Sequence, residues 1–216
     1  MKLPSPLSKL LPAGTRRAWK QIAPLVPESA YLVGGTAIAV HLLHRSSRDL
    51  DFFLAAPEDL EALAETLSQV GKFVVTTLQS DTLNCYLDDA KLQFLSAQDQ
   101  RMLEPLRTVG GLRVASIGDL LATKLNAIAT RGALRDYFDV MTIETKAGRL
   151  AEEGLALFIA RYRPPTPENA VVSIVRALGY LDDVADDPQL PVPRLVIERY
   201  WKKRQPEIVR HLDRHG

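Results

Sequence analysis

Between residues 30 and 115 the apolar positions follow two rhythms. Leu60, Leu63, Ala64, Leu67 and Val70 recur at helical spacing, with Pro57 expected in the first turn, Glu58 and Asp59 behind it, and Gly71 as the stop. In "DLDFFL" Leu50, Phe52 and Leu54 alternate with Asp49, Asp51 and Phe53, the period of a strand with two unlike faces. "AYLVGG" predicts a short buried strand running into a glycine turn, and Thr36 to His44 a helix; an earlier helix is expected over 15–25, ending at Pro24. Alternating runs at 72–78, 82–87 and 91–96 predict three more strands, the last two joined as a hairpin through Asp88-Asp89-Ala90. "RVAS" predicts a fourth short strand. Ser116, with Asp119 three residues on, has capping-box spacing and opens a helix through Arg131 that Gly132 ends; another runs from about Leu134 to Lys146.

From residue 149 the strand rhythm is absent. Helical patterns at 150–162, 167–182 and 193–212 are separated by "RPPTP" and "DDPQLPVP". The fold class is therefore α/β (α+β), with a short mixed sheet followed by an all-helical C-terminal region, and the expected division is 1–147 and 148–216.

Composition changes this picture little. At 216 residues, 46% hydrophobic and 25% charged, the chain is an ordinary globular protein. A net charge of +1 means that any nucleic-acid surface has to be local. The single cysteine, Cys85, excludes an intrachain disulfide framework and, lying in an alternating apolar run, reads as a buried inert thiol. Prolines interrupt the N-terminal segment where a signal peptide needs an apolar run, and no stretch is long and apolar enough for a membrane span, so a cytoplasmic location without membrane association is expected.

The chemistry is concentrated in "LVGGTAIAVHLLHRSSRDLDFFL", residues 32 to 54. Asp49 and Asp51 present both carboxylates on one face of a strand, where they repel each other unless a cation joins them. Mg²⁺ fits that need, because it binds a few carboxylates together with substrate phosphates. Gly34 and Gly35, at a strand-to-helix junction, let a ligand approach the backbone, and the helix N-terminus offers unpaired N–H groups to phosphate, with Thr36 adding a hydroxyl. A phosphate cradle and metal-binding acids in one unit point to nucleotide chemistry. Arg45 and Arg48 are either phosphate contacts or surface charges; His41 and His44 read as packing or surface residues, since Mg²⁺ prefers oxygen. Lys124 and Arg131, seven residues apart, share one helix face, where they are solvated, paired with Asp139, or set opposite a metal-bound triphosphate.

This stretch resembles the signature of nucleotidyltransferases of the DNA polymerase β type: Gly-Gly or Gly-Ser after an apolar residue, then two acids alternating with apolar residues. "GGTAIAVHLLHRSSRDLDFF" is most similar to the AbiEii/AbiGii toxin family, and "KLQFL" (91–95) and "ASIGDLLATKLNAIATRGALRDYFDVMTI" (115–143) fit it too. The resemblance spans roughly residues 30 to 145. It implies that Gly34, Gly35 and Thr36 contact the triphosphate, that Asp49 and Asp51 hold Mg²⁺, that Lys124 faces the triphosphate, and that Asp136 and Asp139 are the acids of a later motif. Many relatives in the wider superfamily place a third acid on a neighbouring central strand to activate the acceptor hydroxyl; here Gln93 is expected in that place. Gln cannot act as a base, so either Asp136 or Asp139 takes over that catalytic role or the acceptor is activated by the metal alone.

The expected activity is transfer of a nucleoside monophosphate from an NTP to an acceptor hydroxyl, in a toxin of a bacterial toxin–antitoxin pair. The resemblance implies tRNA as acceptor and a cognate antitoxin as partner. Modification of a protein or of a small molecule such as an antibiotic, and a catalytically silent member that binds nucleotide or a partner, are the competing readings. The segment 194–215 carries seven Lys or Arg against three acids, with Tyr200 and Trp201 beside them. It is either an RNA-facing surface or a solvated helix with Trp201 turned into the core. If Lys124 is an exposed triphosphate contact, Lys124→Ala should weaken NTP binding with little loss of stability.

Overall fold

A computed structural model describes residues 2–215. They form two compact units, one built from the chain up to Gln100 together with Glu104–Ser116, the other from Arg101–Leu103 and the chain from Ile117 onward.

The first unit holds a mixed sheet. Helices α1 (Ser5–Leu10) and α2 (Ala13–Ile22) precede β1 (Ala30–Val33), which runs directly into α3 (Gly34–Leu42) and returns as β2 (Leu50–Leu54). Helix α4 (Leu60–Ser68) leads to a meander of β3 (Phe73–Gln79), β4 (Thr82–Leu87) and β5 (Ala90–Ser96), and a hairpin of β6 (Arg107–Val109) and β7 (Leu112–Val114) follows. Among the described residues the sheet has seven strands in the order β3-β4-β5-β2-β1-β7-β6. β2 lies antiparallel to β1 and parallel to β5, and β1 lies parallel to β7.

The pleat sorts the strands into two faces. Leu50, Phe52 and Leu54 of β2 and Leu92 and Phe94 of β5 are buried, with Phe52 stacked on Phe94 at 4.9 Å between centroids. Cys85 lies in this buried layer, and burial pushes its thiol up to about 12. The alternate residues Asp51, Gln93 and Asn84 are half-buried on the other face.

Several boundaries differ from the sequence expectation. Pro57 precedes α4 rather than occupying its first turn; Asp59 is the N-cap, and its Oδ1 accepts from Glu61 N at 3.1 Å and Ala62 N at 3.0 Å. The hairpin turn is confined to Asp88 and Asp89, because Ala90 already pairs with Leu87. Helix α1 and strand β6 were not expected; both are too short to show a period.

The second unit is helical. α5 (Ile117–Thr130) and α6 (Leu134–Thr142) are followed by a π-helical turn over Ile143–Ala147, then α7 (Ala151–Tyr162), α8 (Pro167–Leu178) and α9 (Arg194–His215). Asp119 has distant partners: its Oδ1 accepts from Leu103 N at 3.1 Å and from the buried Arg161 Nη1 at 2.6 Å. Trp201 is fully buried and donates to the Tyr137 carbonyl at 3.2 Å, so of the two readings of α9 the core-facing one holds for this ring. Tyr200 donates its hydroxyl to Glu144 in the same unit. Among the described residues no helix is long and apolar enough to cross a membrane.

Candidate active site

The β1–α3 junction is tight because the helix begins without a connecting loop. Val33 is in extended conformation, and Gly34, the first helical residue, has φ of 70°, a conformation that a side chain strains. Space is short as well. A Cβ on Gly34 would run into Asp51 Oδ2, and one on Gly35 would run into the Arg45 guanidinium. A carboxylate from β2 and a cation from the loop after α3 therefore lie against consecutive glycines at the start of one helix.

Thr36 Oγ1 donates to the Asp49 carbonyl at 2.6 Å, tying the first turn of α3 to the residue that enters β2. The threonine hydroxyl is thus a clasp between the glycine turn and the acids. Thr15 Oγ1 donates to the Arg48 carbonyl at 2.9 Å, which pins the same loop from α2, while the Arg48 side chain is exposed. The register places Asp51 opposite Val33 on β1 and beside Gln93 on β5. Asp49 and Asp51 are both half-buried. His41 donates from Nε2 to the Ala115 carbonyl at 2.8 Å, and burial holds its imidazole below the usual histidine range, a packing role.

Gly34→Ala joins a left-handed φ to a collision with Asp51, so it is expected to cost about 1–3 kcal/mol and to shift the carboxylate. A thermal melt of Gly34→Ala against wild type, with nucleotide affinity measured on both, checks this.

The other sequence-identified residues belong to the second unit. Lys124, on α5, is buried, with Nζ at 2.7 Å from Asp136 Oδ1 and 2.8 Å from Asp139 Oδ2 on α6. Arg131 closes on the same Asp136 with two bonds, Nε to Oδ2 at 3.0 Å and Nη2 to Oδ1 at 3.1 Å, and its own side chain is 57% exposed. Burial alone would raise the Asp136 carboxyl, but the charges and hydrogen bonds of Lys124 and Arg131 outweigh it and hold the group below the usual carboxylate range.

Sequence reasoning passed over Asn84. Its Oδ1 accepts from Gln93 Nε2 at 2.7 Å, and it faces Gln93 across β4 and β5. The signal was available: a hairpin turning at Asp88-Asp89 pairs 87 with 90 and hence 84 with 93.

A model of the family described as "Nucleotidyl transferase AbiEii toxin, Type IV TA system" matches residues 17–99 and 82–214. An uncharacterized protein of Aquifex aeolicus (strain VF5) is 29% identical over 177 residues, spanning 80% of this chain and 81% of its own. Among solved structures, one described as a nucleotidyltransferase from H. pylori superposes with a TM-score of 0.55 at 17% identity, covering 97% of this chain and 96% of the other. The antibiotic-resistance factor ANT(2'')-Ia gives a TM-score of 0.52 at 17% identity, over 74% and 96%. These two structures share the fold, with its mixed sheet and helices. The family match covers well over half of the sequence, and the chain belongs to the AbiEii nucleotidyl transferase toxin family, a family of nucleotidyltransferase enzymes.

Proposed function

We propose that the chain moves a nucleoside monophosphate from an NTP to an acceptor hydroxyl with Mg²⁺, as the toxin of a toxin–antitoxin pair, and that the acceptor is tRNA. The observation that carries this reading is the packing of Asp51 against Gly34 at the head of α3. It sets a carboxylate beside the backbone N–H groups that favour phosphate.

The donor chemistry suits the metal: Asp49 and Asp51 are half-buried carboxylates one alternation apart, and they would hold a cation together with phosphate oxygens, as Mg²⁺ prefers. Bound there, Mg²⁺ supplies charge neutralisation on the phosphates. The chain's own groups do the rest. Gly34 and Gly35 open the backbone to the triphosphate, Thr36 holds the glycine turn on Asp49, and Arg45 and Arg48 add positive charge at the same loop. By resemblance Lys124 is assigned to the triphosphate and Asp136 and Asp139 to a later motif; within the second unit the lysine is paired with both acids and Arg131 with Asp136. In this reading residues 1–147 carry the transfer chemistry and 148–216 are a helical region, and the reaction takes place in the cytoplasm, where NTPs are supplied.

Lys202, Lys203 and Arg210 on α9 are exposed, which supports a phosphate-tracking surface, whereas Arg204 is engaged by Glu144 and Glu152. Lys202→Glu with Lys203→Glu is expected to weaken tRNA binding and to lower the salt-dependence slope by about 1 for each phosphate left without its cation. Titrations of total tRNA at several salt concentrations read this directly. The reaction itself is tested by incubating the protein with each labelled NTP, Mg²⁺ and total tRNA, bulk protein or an aminoglycoside. Label in tRNA supports the proposal; label in protein or antibiotic alone overturns the tRNA assignment, and nucleotide binding without turnover overturns transfer.

A further inference from the structure

One row crosses five strands of the sheet: Val33, which is buried, and Asp51, Gln93, Asn84 and Thr77, which are half-buried, stand side by side on β1, β2, β5, β4 and β3. Neighbouring strands are about 4.8 Å apart, so the Gln93 side chain stands one strand spacing from Asp51 and points the same way. Its amide is not free to turn. Gln93 Nε2 donates to Asn84 Oδ1 at 2.7 Å, which directs the nitrogen end towards β4, so the carbonyl oxygen is the end of the amide that this bond does not use. Behind the row, Leu92 and Phe94 are fully buried, so β5 is held from the opposite face.

We infer that Gln93 orients the acceptor hydroxyl beside Asp51 and that Asn84 is a positioning residue acting through it. The inference rests on the reading of Asp49 and Asp51 as the transfer centre, and applies to whichever acceptor carries the hydroxyl. The Gln93 carbonyl accepts a hydrogen bond from that hydroxyl and so aims one oxygen lone pair at the α-phosphorus. The acceptor oxygen then bonds to that phosphorus as the bond to the bridging oxygen breaks, and pyrophosphate leaves with the electron pair. The hydroxyl proton passes to solvent water, because an amide has no basicity with which to keep it. A carboxylate at this position would add a third negative charge to the row next to Asp51, whereas the amide orients the acceptor without that repulsion.

A structural role alone makes a different forecast. A cross-strand amide bond stabilises the β4–β5 hairpin and nothing else. The experiment compares wild type, Gln93→Ala, Asn84→Ala and the double variant, with Gln93→Met as a volume-matched version should Gln93→Ala fold poorly. Transfer per folded molecule is measured from each labelled NTP with Mg²⁺ to total tRNA, bulk protein and an aminoglycoside, and NTP affinity is measured without acceptor. Loss of the Gln93 amide is expected to lower transfer at least tenfold, with a raised KM for the acceptor and NTP affinity within twofold of wild type. Asn84→Ala should lose less, and the double variant no more than Gln93→Ala, since Asn84 acts only through Gln93. Wild-type transfer rates in Gln93→Ala, a parallel loss of NTP affinity, or losses that multiply in the double variant would each overturn the inference. Label in protein or antibiotic but not in tRNA overturns the tRNA assignment, while the ratio of variant to wild type still decides the role of Gln93. A wild-type protein that labels none of the three overturns both.

Discussion

Asp51→Asn is expected to leave a folded protein with nucleotidyl transfer reduced by about 10³-fold or more. The substitution preserves size, shape and strand geometry while removing one carboxylate of the proposed metal-binding pair. The contribution of a bound metal to the transition state is several kcal/mol, and each 1.36 kcal/mol is about tenfold in rate. Stability should change little. Asp51 is half-buried rather than sealed in, and its carboxylate lies against Gly34 next to the Arg45 guanidinium on Gly35. Removing the charge relieves its repulsion with Asp49 while weakening its attraction to the nearby cation, so the net effect is expected to stay within about 1 kcal/mol. Asp49→Asn should behave alike. A thermal melt in chelator, paired with a transfer assay in excess Mg²⁺, reads both halves. An Asp51→Asn protein that unfolds, yet transfers normally in its folded fraction, would make the two acids structural.

Lys124→Ala is expected to act in the opposite sense, on the fold first. The ammonium is buried between Asp136 and Asp139, and both carboxylates are fully enclosed. Its removal takes away a cation that both buried carboxylates share, a loss of about 3–5 kcal/mol. For a chain of 216 residues that lowers the melting temperature by roughly 6–20 °C. The small effect expected for an exposed lysine is therefore corrected by its burial.

The pH dependence gives the finer test. In wild type the Asp136 carboxyl is held below its unfolded value, so its contribution to stability is complete above the unfolded pKa, about 4, and is lost as pH falls through the depressed folded value. Without Lys124 one of the attractions that oppose burial is gone, so the folded carboxyl is held down less strongly and the variant loses less stability on acidification than wild type does. The gap in stability between wild type and Lys124→Ala should then narrow as pH falls below about 4. Melts across that range check it; a gap that widens on acidification would reject this account of the cluster.

Asp51 was legible because a period of two needs no partner to be seen: Leu50, Phe52 and Leu54 on one face of β2 leave Asp51 on the other, with Asp49 just before the strand. The glycine pair was legible because a strand that runs into a helix without a loop needs residues that can turn. Burial of Lys124 was less legible, since a lysine on a helix is usually solvated, though a clue was present. It lies four residues after Leu120 and four before Ile128, in the middle of the buried stripe of α5. The pairing of Asp119 with Arg161 joins α5 to α7 across 42 positions, and no local pattern announces such a partner. The π-helical turn at Ile143–Ala147 is similarly silent, because its extra residue is absorbed without a change in the apolar rhythm on either side.

Cys85 has a practical consequence. Burial raises its thiol to about 12, so the reactive thiolate is scarce at neutral pH, and the group is enclosed besides. Towards maleimides or iodoacetamides the native chain thus behaves as though it had no cysteine. A new cysteine in place of Tyr86, which is exposed on the same face as Asn84 one alternation away, would be the dominant reactive position without any need to replace Cys85. A fluorophore or spin label attached there would sit beside the Asp51–Gln93 row and report an arriving acceptor in real time, before any bond to phosphorus has formed.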